Sequence, residues 1–495
     1  MLRRVIQQGG VYALAAVVAK VGAFVLLLFY VNEEVLAKAE FGYLGVIDAT
    51  KAIGLLVAGA GLPIGLLRFA SSRDLSDTAR AAVPATALAL SAAIALGLGV
   101  GIWTGAPVFS GWLFGHPGRA ELFRWLAVYV AFRSVADVSL TELRHREATG
   151  RFVLAGLLEV VLLVSAVVYF LVVRGEGLEG VLKGYAVSAA GLAAVLTPAL
   201  LRRVERRVAW PLVRPLLAFG LPLIASGLAS RALNVGDRYL IVLLLGAEAT
   251  AEYEVAARFG GLVNTLAVQS FGLAFTVLGL KALDGTSDPT FHRRAFRHFA
   301  ALAGGAALVL GLGYSDLVAL LPTQDDSYGR ADGVVLMIAG GFGLYGLYYI
   351  AVNVLYAAGR TRAVALVVGL AAAVNVGLNL ALIPRLGIGG AALATLLAYA
   401  VLAYGTARAA EQSVRVGYGW GSVAVVAVAV GVLWGAGQVA DAWALGPRLA
   451  LRGALVLAYP AVLVAGGVYR REDFRAARRL VAARRGREHG GSTPD

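Results

Sequence analysis

The sequence predicts an all-α polytopic membrane protein, and three observations carry that prediction. Hydrophobic residues make up 59% of the 495, and mean hydropathy is +0.77, well above a soluble domain. Only 15% of residues are charged, and these gather between apolar runs. About fourteen such runs are long enough to cross a bilayer, which takes roughly 20 residues each.

In chain order the runs cover 10–31, 41–67, 83–104, 122–143, 152–173, 180–201, 216–245, 253–280, 299–320, 333–356, 363–383, 390–409, 421–439 and 449–468. The first follows the basic opening MLRR. It is too long for a signal-peptide core and no small-x-small cleavage site follows it, so it reads as a retained span. Pro63, Pro222 and the Gly340-Gly341 pair lie inside runs. Membrane helices tolerate them because neighbouring helices re-satisfy the freed backbone groups.

Charge alternates from one connection to the next. One set holds Arg73 and Arg80; Arg144, Arg146 and Arg151; Arg202 to Arg214; Lys281 and Arg293 to Arg297; Arg360 and Arg362; and Arg408 and Arg415. The other set is poor in cations, with Glu33, Glu34 and Glu40 around a single Lys38, then Glu248 and Glu252, then Asp325, Asp326 and Asp332, and a lone Arg385. The positive-inside rule then places both termini in the cytoplasm and makes the number of spans even. The formal net charge of +14 reads as topology and contact with anionic lipids, not nucleic-acid binding. The tail 470–495 reads as a short basic surface helix followed by disorder.

Several chemistries are excluded. There is no cysteine, hence no disulfide, thiolate metal site or cysteine nucleophile. The five histidines show no zinc-ligand spacing. No Walker motif occurs, so ATP is not the direct energy source. No loop is long enough for a folded extramembrane domain.

An internal repeat organises the chain. Ala39-Glu40-Phe41 corresponds to Ala251-Glu252-Tyr253, Ala148-Thr149-Gly150-Arg151 to Ala357-Ala358-Gly359-Arg360, and Gly177-Leu178-Glu179-Gly180 to Gly387-Ile388-Gly389-Gly390. The offset stays near roughly 210 residues. The repeat predicts an N-terminal six-helix lobe at 1–208, a C-terminal six-helix lobe at 209–415, two additional helices at 416–469 and the tail at 470–495. An even number of spans per unit makes the repeats parallel.

AEFGYLGVIDATKAIGLLVAGAGLPIGLLRFAS, FGLPLIASGLASRALNVGDRYLIVLLLGAEATAEYEVAARFGGL and the AGR…GIGGAALAT block resemble the polysaccharide transporter (Wzx-like) branch of the multidrug/oligosaccharidyl-lipid/polysaccharide exporter superfamily. The resemblance covers nearly the whole chain. It implies two six-helix lobes around a central cavity. It also implies a flippase, not an enzyme, moving a polyprenyl-diphosphate-linked glycan from the cytoplasmic to the outer leaflet for cell-surface polysaccharide assembly. The expected setting is the cytoplasmic membrane, as a monomer or with polysaccharide assembly proteins. The rival readings are a multidrug exporter of the same superfamily and a membrane glycosyltransferase, for which Asp325-Asp326 would be the acidic pair.

A diphosphate headgroup needs cations inside the membrane, where each charge costs about 3 to 10 kcal/mol unless paired or wet. Lys20, Lys51, Arg133, Arg231 and Arg258 are the candidates. Lys51 has Asp48 at i−3, Arg133 has Asp137 at i+4 and Arg258 has Glu254 at i−4, so each could be locally satisfied. Arg238, near the end of its run, could snorkel, and Arg68 reads as a topological anchor. The resemblance extends to related lipid II flippases, in which basic residues on the first, second and eighth helices line the cavity, as Lys20, Lys51 and Arg258 would.

Turnover implies ion coupling, by Na⁺ or H⁺, with no other cofactor. Asp237, Asn375, Asn379 and Thr395 offer hard oxygen ligands, and the two asparagines share a helix face. The arrangement resembles the sodium site of some lipid II flippases, with Asn379 where a carboxylate is expected. Interhelical hydrogen bonding is the alternative for the asparagines. Glu159, Asp48 and Asp137 are the alternative proton carriers. Tyr345, Tyr348 and Tyr349 could stack on sugars or simply pack between helices.

Overall fold

The computed structural model describes residues 20–469, apart from 116, 203, 205–206 and most of 273–288. The first residues of the opening run and the whole basic tail therefore lie outside the described residues, as does Lys281. Everything described is helix, turn or irregular chain, with no strand among the described residues.

The helices are α1 Lys20–Tyr30, α2 Lys38–Gly59, α3 Leu62–Ala70, α4 Asp77–Phe114, α5 Ala120–His145, α6 Thr149–Val168 and α7 Gly177–Leu201. They continue with α8 Trp210–Leu245, α9 Ala247–Val263, α10 Pro289–Val318, α11 Asp332–Ala357, α12 Thr361–Glu411, α13 Trp420–Gln438 and α14 Leu445–Ala465. Among the described residues, ten helical segments are long and apolar enough to cross a membrane by length and composition. The predicted runs number more than this for identifiable reasons. The α5 and α9 segments carry several charged residues, the described part of α1 is short, and α12 holds two runs across a kink.

Local chemistry sets the breaks. At α12 the kink is Gly387, with φ 59° and ψ −142°, just after Pro384. Pro384 cannot donate to the helix ladder, and glycine accepts the left-handed turn that follows. Ser76 caps α4 by accepting from the Ala79 amide at 3.2 Å. Between α2 and α3, Ala60 and Gly61 both adopt positive φ, and Pro63 sits in the first turn of α3.

The chain forms two compact units. Unit 1 comprises Met1–Val255, Leu317–Arg330 and Val368–Ala398; unit 2 comprises Ala256–Asp316, Ala331–Val367 and Tyr399–Asp495.

In unit 1, α3, α4, α5 and α8 enclose a core around Leu62, Leu66, Val83, Leu88, Val138 and Leu216. The α2–α3 break lies directly on α8. A Cβ on Gly61 would stand 2.6 Å from the Gly220 Cα, and one on Gly220 would collide with the Ala60 carbonyl. Nearer the start of α2, a Cβ on Gly42 would strike the Ala247 carbonyl, and one on Gly45 would strike Glu254. Glycine at these points lets backbones meet as membrane helices often do.

In unit 2, α10, α13 and α14 pack through Leu308, Leu312, Val426, Val430, Leu433 and Leu463. Arg452 of α14 is 4% exposed. It donates to Asp316 at 2.5 Å, to Ser315 at 3.1 Å and to Asp441 at 2.7 Å. This arginine docks the last helix on α10 by charge as well as by apolar contact.

The Gly220 contact makes a testable prediction. Gly220→Ala should destabilise by about 1–3 kcal/mol, the usual cost of overpacking. Gly97→Ala in α4, where an added methyl meets nothing within 4 Å, should be neutral or slightly stabilising. Thermal unfolding of the two purified variants in one detergent checks the contrast.

Candidate functional site

The polar residues inside unit 1 sort into three groups. The first centres on Asp237, whose side chain is 3% exposed. Its Oδ1 accepts from Arg238 Nη1 at 2.7 Å and its Oδ2 accepts from the Tyr253 hydroxyl. Arg238 Nε donates to Glu254 at 2.8 Å, and its guanidinium lies over the Tyr253 ring. Arg238 therefore does not snorkel; it is held between two carboxylates. Glu254, which lies one helical turn before Arg258, also accepts from Arg238.

The Tyr253 hydroxyl is also within hydrogen-bonding reach of Thr395. Asn375 Nδ2 donates to Thr395 at 3.5 Å, and Asn379 Nδ2 donates to the Asn375 carbonyl at 2.9 Å and its Oδ1 at 3.1 Å. Asp237, Tyr253, Thr395, Asn375 and Asn379 thus form one buried polar chain. Its far end is an Asn379 Oδ1 that is buried with no partner among the described residues. Such an orphaned acceptor fits a donor or a cation. The neutral end of the chain fits a monovalent ion. At the other end, Arg238 and Tyr253 already engage both Asp237 oxygens.

The second group is the cations of the N-terminal helices. Lys51 Nζ is 2.5 Å from Asp48 and 4.0 Å from the Tyr185 ring centroid, with the adjacent Tyr129 ring at 5.5 Å. Arg133 Nε donates to Asp137 at 2.9 Å, and its Nη1 also pairs with Glu159 of α6. Sequence spacing indicates Asp48 and Asp137. It gives no sign of Glu159 or of the two tyrosines, which come from other helices.

Lys20 and Arg231 are the exposed members of the candidate set, and Arg258 in unit 2 is partly exposed. Arg231 has no ion pair among the described residues. An uncompensated guanidinium inside an apolar span must face water or an anion.

The third group was not picked out as a site from sequence. Lys38 Nζ donates to Glu252 at 2.7 Å, to Asp325 at 2.7 Å and to Ser327 at 2.6 Å, with the Tyr328 ring 5.2 Å away. Glu33 accepts from Thr323 Oγ1 at 2.9 Å and from the Gln324 amide at 3.0 Å. Together they clasp segment 317–330 to the start of α2. The available signal was Lys38 as the one cation among Glu33, Glu34 and Glu40. The Lys38 ammonium holds the Asp325 carboxyl down to about 2.

The described residues thus hold a many-helix body with ion pairs, one buried polar acceptor without a partner and a few exposed cations. Comparison with known proteins agrees at the level of fold. Residues 35–272 match the family described as "Polysaccharide biosynthesis protein". The lipid II flippase MurJ in an inward closed conformation superposes with TM-score 0.73 over 94% of this chain and all of its own, at 10% identity. An inward-facing multidrug resistance MATE family transporter of the MOP superfamily superposes with TM-score 0.65 over 82% of this chain and 94% of its own, at 17% identity. A MOP superfamily transporter from Pyrococcus furiosus, described by the reverse polarity of its binding pocket, gives 0.60 over 83% and 95%, at 14% identity. No functionally curated protein matches the sequence. The fold is that of membrane flippases and exporters, and these neighbours are transporters, not enzymes.

Two outcomes follow from this geometry. Arg133→Met strands Asp137 and Glu159 together and should cost about 3–5 kcal/mol, as breaking buried pairs does. The triple change Arg133→Met, Asp137→Asn, Glu159→Gln should recover most of that loss in a thermal unfolding assay. The clasp should also respond to acid. Asp325 titrates below its ordinary 3.8 in the folded chain, so its contribution is complete above about pH 4 and fades as pH falls toward 2. Amide protection at 323–327, taken relative to the intrinsic exchange rate at each pH, should fall across that window in the wild type. In Lys38→Met it should already be low at neutral pH and change little.

Proposed function

We propose that this chain is a flippase for a polyprenyl-diphosphate-linked oligosaccharide. It moves the substrate from the cytoplasmic to the outer leaflet of the cytoplasmic membrane by alternating access, serving assembly of a cell-surface polysaccharide or glycan. Both termini lie in the cytoplasm, so the Lys38 clasp closes the outer face. The observation that carries this reading is Arg231, an exposed guanidinium inside an apolar span with no ion pair among the described residues. A diphosphate is the counterion that fits it, because guanidinium donors match phosphate oxygens two at a time. Lys20, exposed in the same unit, is the second cation of this reading. Lys51 and Arg133 are neutralised by their own carboxylates and act by holding helices in place. The family match and the shared lipid II flippase fold support the same reading.

The glycosyltransferase alternative loses support from Asp325. A carboxylate bound by Lys38 and kept ionised is poorly suited to act as a general acid.

Coupling to Na⁺ is the accompanying proposal. Asn379 Oδ1, Asn375 and Thr395 would hold the ion, while Asp237 supplies field, not an open ligand. H⁺ carried by the Asp137–Arg133–Glu159 triad is the second possibility, since two carboxylates share one guanidinium there.

In a strain lacking the chromosomal copy, Arg231→Ala and Lys20→Ala should each reduce export of the lipid-linked glycan by about tenfold or more, at unchanged protein level; a tenfold loss corresponds to roughly 1.4 kcal/mol. Normal export by both variants would remove the cationic-headgroup reading. In proteoliposomes, indifference of transport to both a sodium and a proton gradient would remove ion coupling.

A further inference from the structure

The transport reading leaves one membrane-embedded feature of unit 2 unused. After α9 the helix widens into a π-turn over Asn264–Gln269, near the centre of the apolar run 253–280. π-turns cost helix stability and recur at functional sites. Gln269 and Ser270 are exposed, and Asn264 is partly exposed. An amide and a hydroxyl at that depth are expensive against hydrocarbon unless a polar group or water meets them.

Helix α11 runs beside this segment, with Ile338 against Gly260, Phe342 against Gly261 and Tyr349 against Gly272. The alignment puts Tyr345 and Tyr349, both partly exposed, alongside the π-turn. Their hydroxyls lie 3.5 Å apart. The Tyr345 ring is braced by Tyr348 at 5.6 Å and by fully buried Tyr399 at 5.1 Å. Asn353 donates to the Tyr349 carbonyl at 2.6 Å. The tyrosines are thus held rigidly, with hydroxyl edges still reachable. No residue from 259 to 280, or from 333 to 359, carries a formal charge.

A neutral surface of amides, hydroxyls and braced aromatic rings does not suit a diphosphate. It suits a sugar, whose C–H faces stack on rings and whose hydroxyls exchange hydrogen bonds with amides. We propose that the face formed by Asn264, Gln269, Ser270, Tyr345 and Tyr349 binds the saccharide portion of the substrate. This deepens the flippase reading and depends on it: the face reads the sugar of the lipid-linked substrate.

The test measures binding of two kinds of probe to the purified full-length protein in detergent. One is farnesyl diphosphate. The other is farnesyl diphosphate bearing a single glucose, galactose or N-acetylglucosamine. The wild type should bind at least one sugar-bearing probe about tenfold more tightly than farnesyl diphosphate. The Gln269→Ala, Tyr349→Leu double variant should bring that ratio to about one while farnesyl diphosphate binding stays unchanged, which also shows the variant is folded. Tyr349→Phe, which keeps the ring, should retain part of the preference. Arg231→Gln should weaken both kinds of probe together and leave the ratio intact. The saccharide proposal is overturned if the wild type prefers no sugar-bearing probe, if the double variant keeps the preference, or if it loses both probes equally. Failure of the wild type to bind farnesyl diphosphate at all would overturn the flippase reading as well.

Discussion

A charge inside a bilayer must be paired or wet, and this requirement organises the interior of the protein. Arg238 lies between Asp237 and Glu254, Arg133 between Asp137 and Glu159, and Arg452 between Asp316 and Asp441. In each case one guanidinium joins two carboxylates. Each of these arginines ties its own helix to another. The pairs offset the cost of burial only because both charges are present, so they make helix packing selective more than they make it tight. Arg231 breaks the pattern, and that exception points to a ligand.

Glycine supplies the complementary constraint. Ion pairs reach across a few ångströms only if helices approach closely. Gly42 and Gly45 bring the start of α2 against the α8–α9 turn, where Lys38 then finds Glu252. Gly61 and Gly220 do the same for the α2–α3 break. The close contacts bring the charges together, and the charges fix which helices stay together. The left-handed turn at Gly387 lets α12 contribute Asn375, Asn379 and Thr395 to one polar chain from both sides of a kink.

The distribution of polarity divides the labour. Unit 1 carries the Arg238 and Arg133 clusters, Lys20 and the exposed Arg231, and unit 2 carries the Arg452 cluster. The central turns beside the π-segment in unit 2 are neutral and aromatic. A substrate with an anionic head and an uncharged saccharide presents the same two chemistries, and neither surface would serve for the other. Lysine and arginine meet phosphate as ions, whereas tyrosine and glutamine meet a sugar through ring faces and single hydrogen bonds.

The sequence by itself determined the helical membrane class, the positions of the apolar runs and the identity of the intramembrane charges. Run length, hydropathy and the rarity of charge are local quantities, and the bilayer imposes them residue by residue. It also showed the local partners Asp48 and Asp137, because helical spacing fixes which residues share a face. Glu159, Tyr129 and Tyr185 were out of reach, since they come from other helices. So was the Lys38 clasp, whose partners lie more than 200 positions away in the chain. Helical periodicity says which residues share a face but not which helix that face meets. Only the tertiary structure decided which cations were already spent on carboxylates and which remained open, because pairing between helices depends on backbone approach that no single segment encodes.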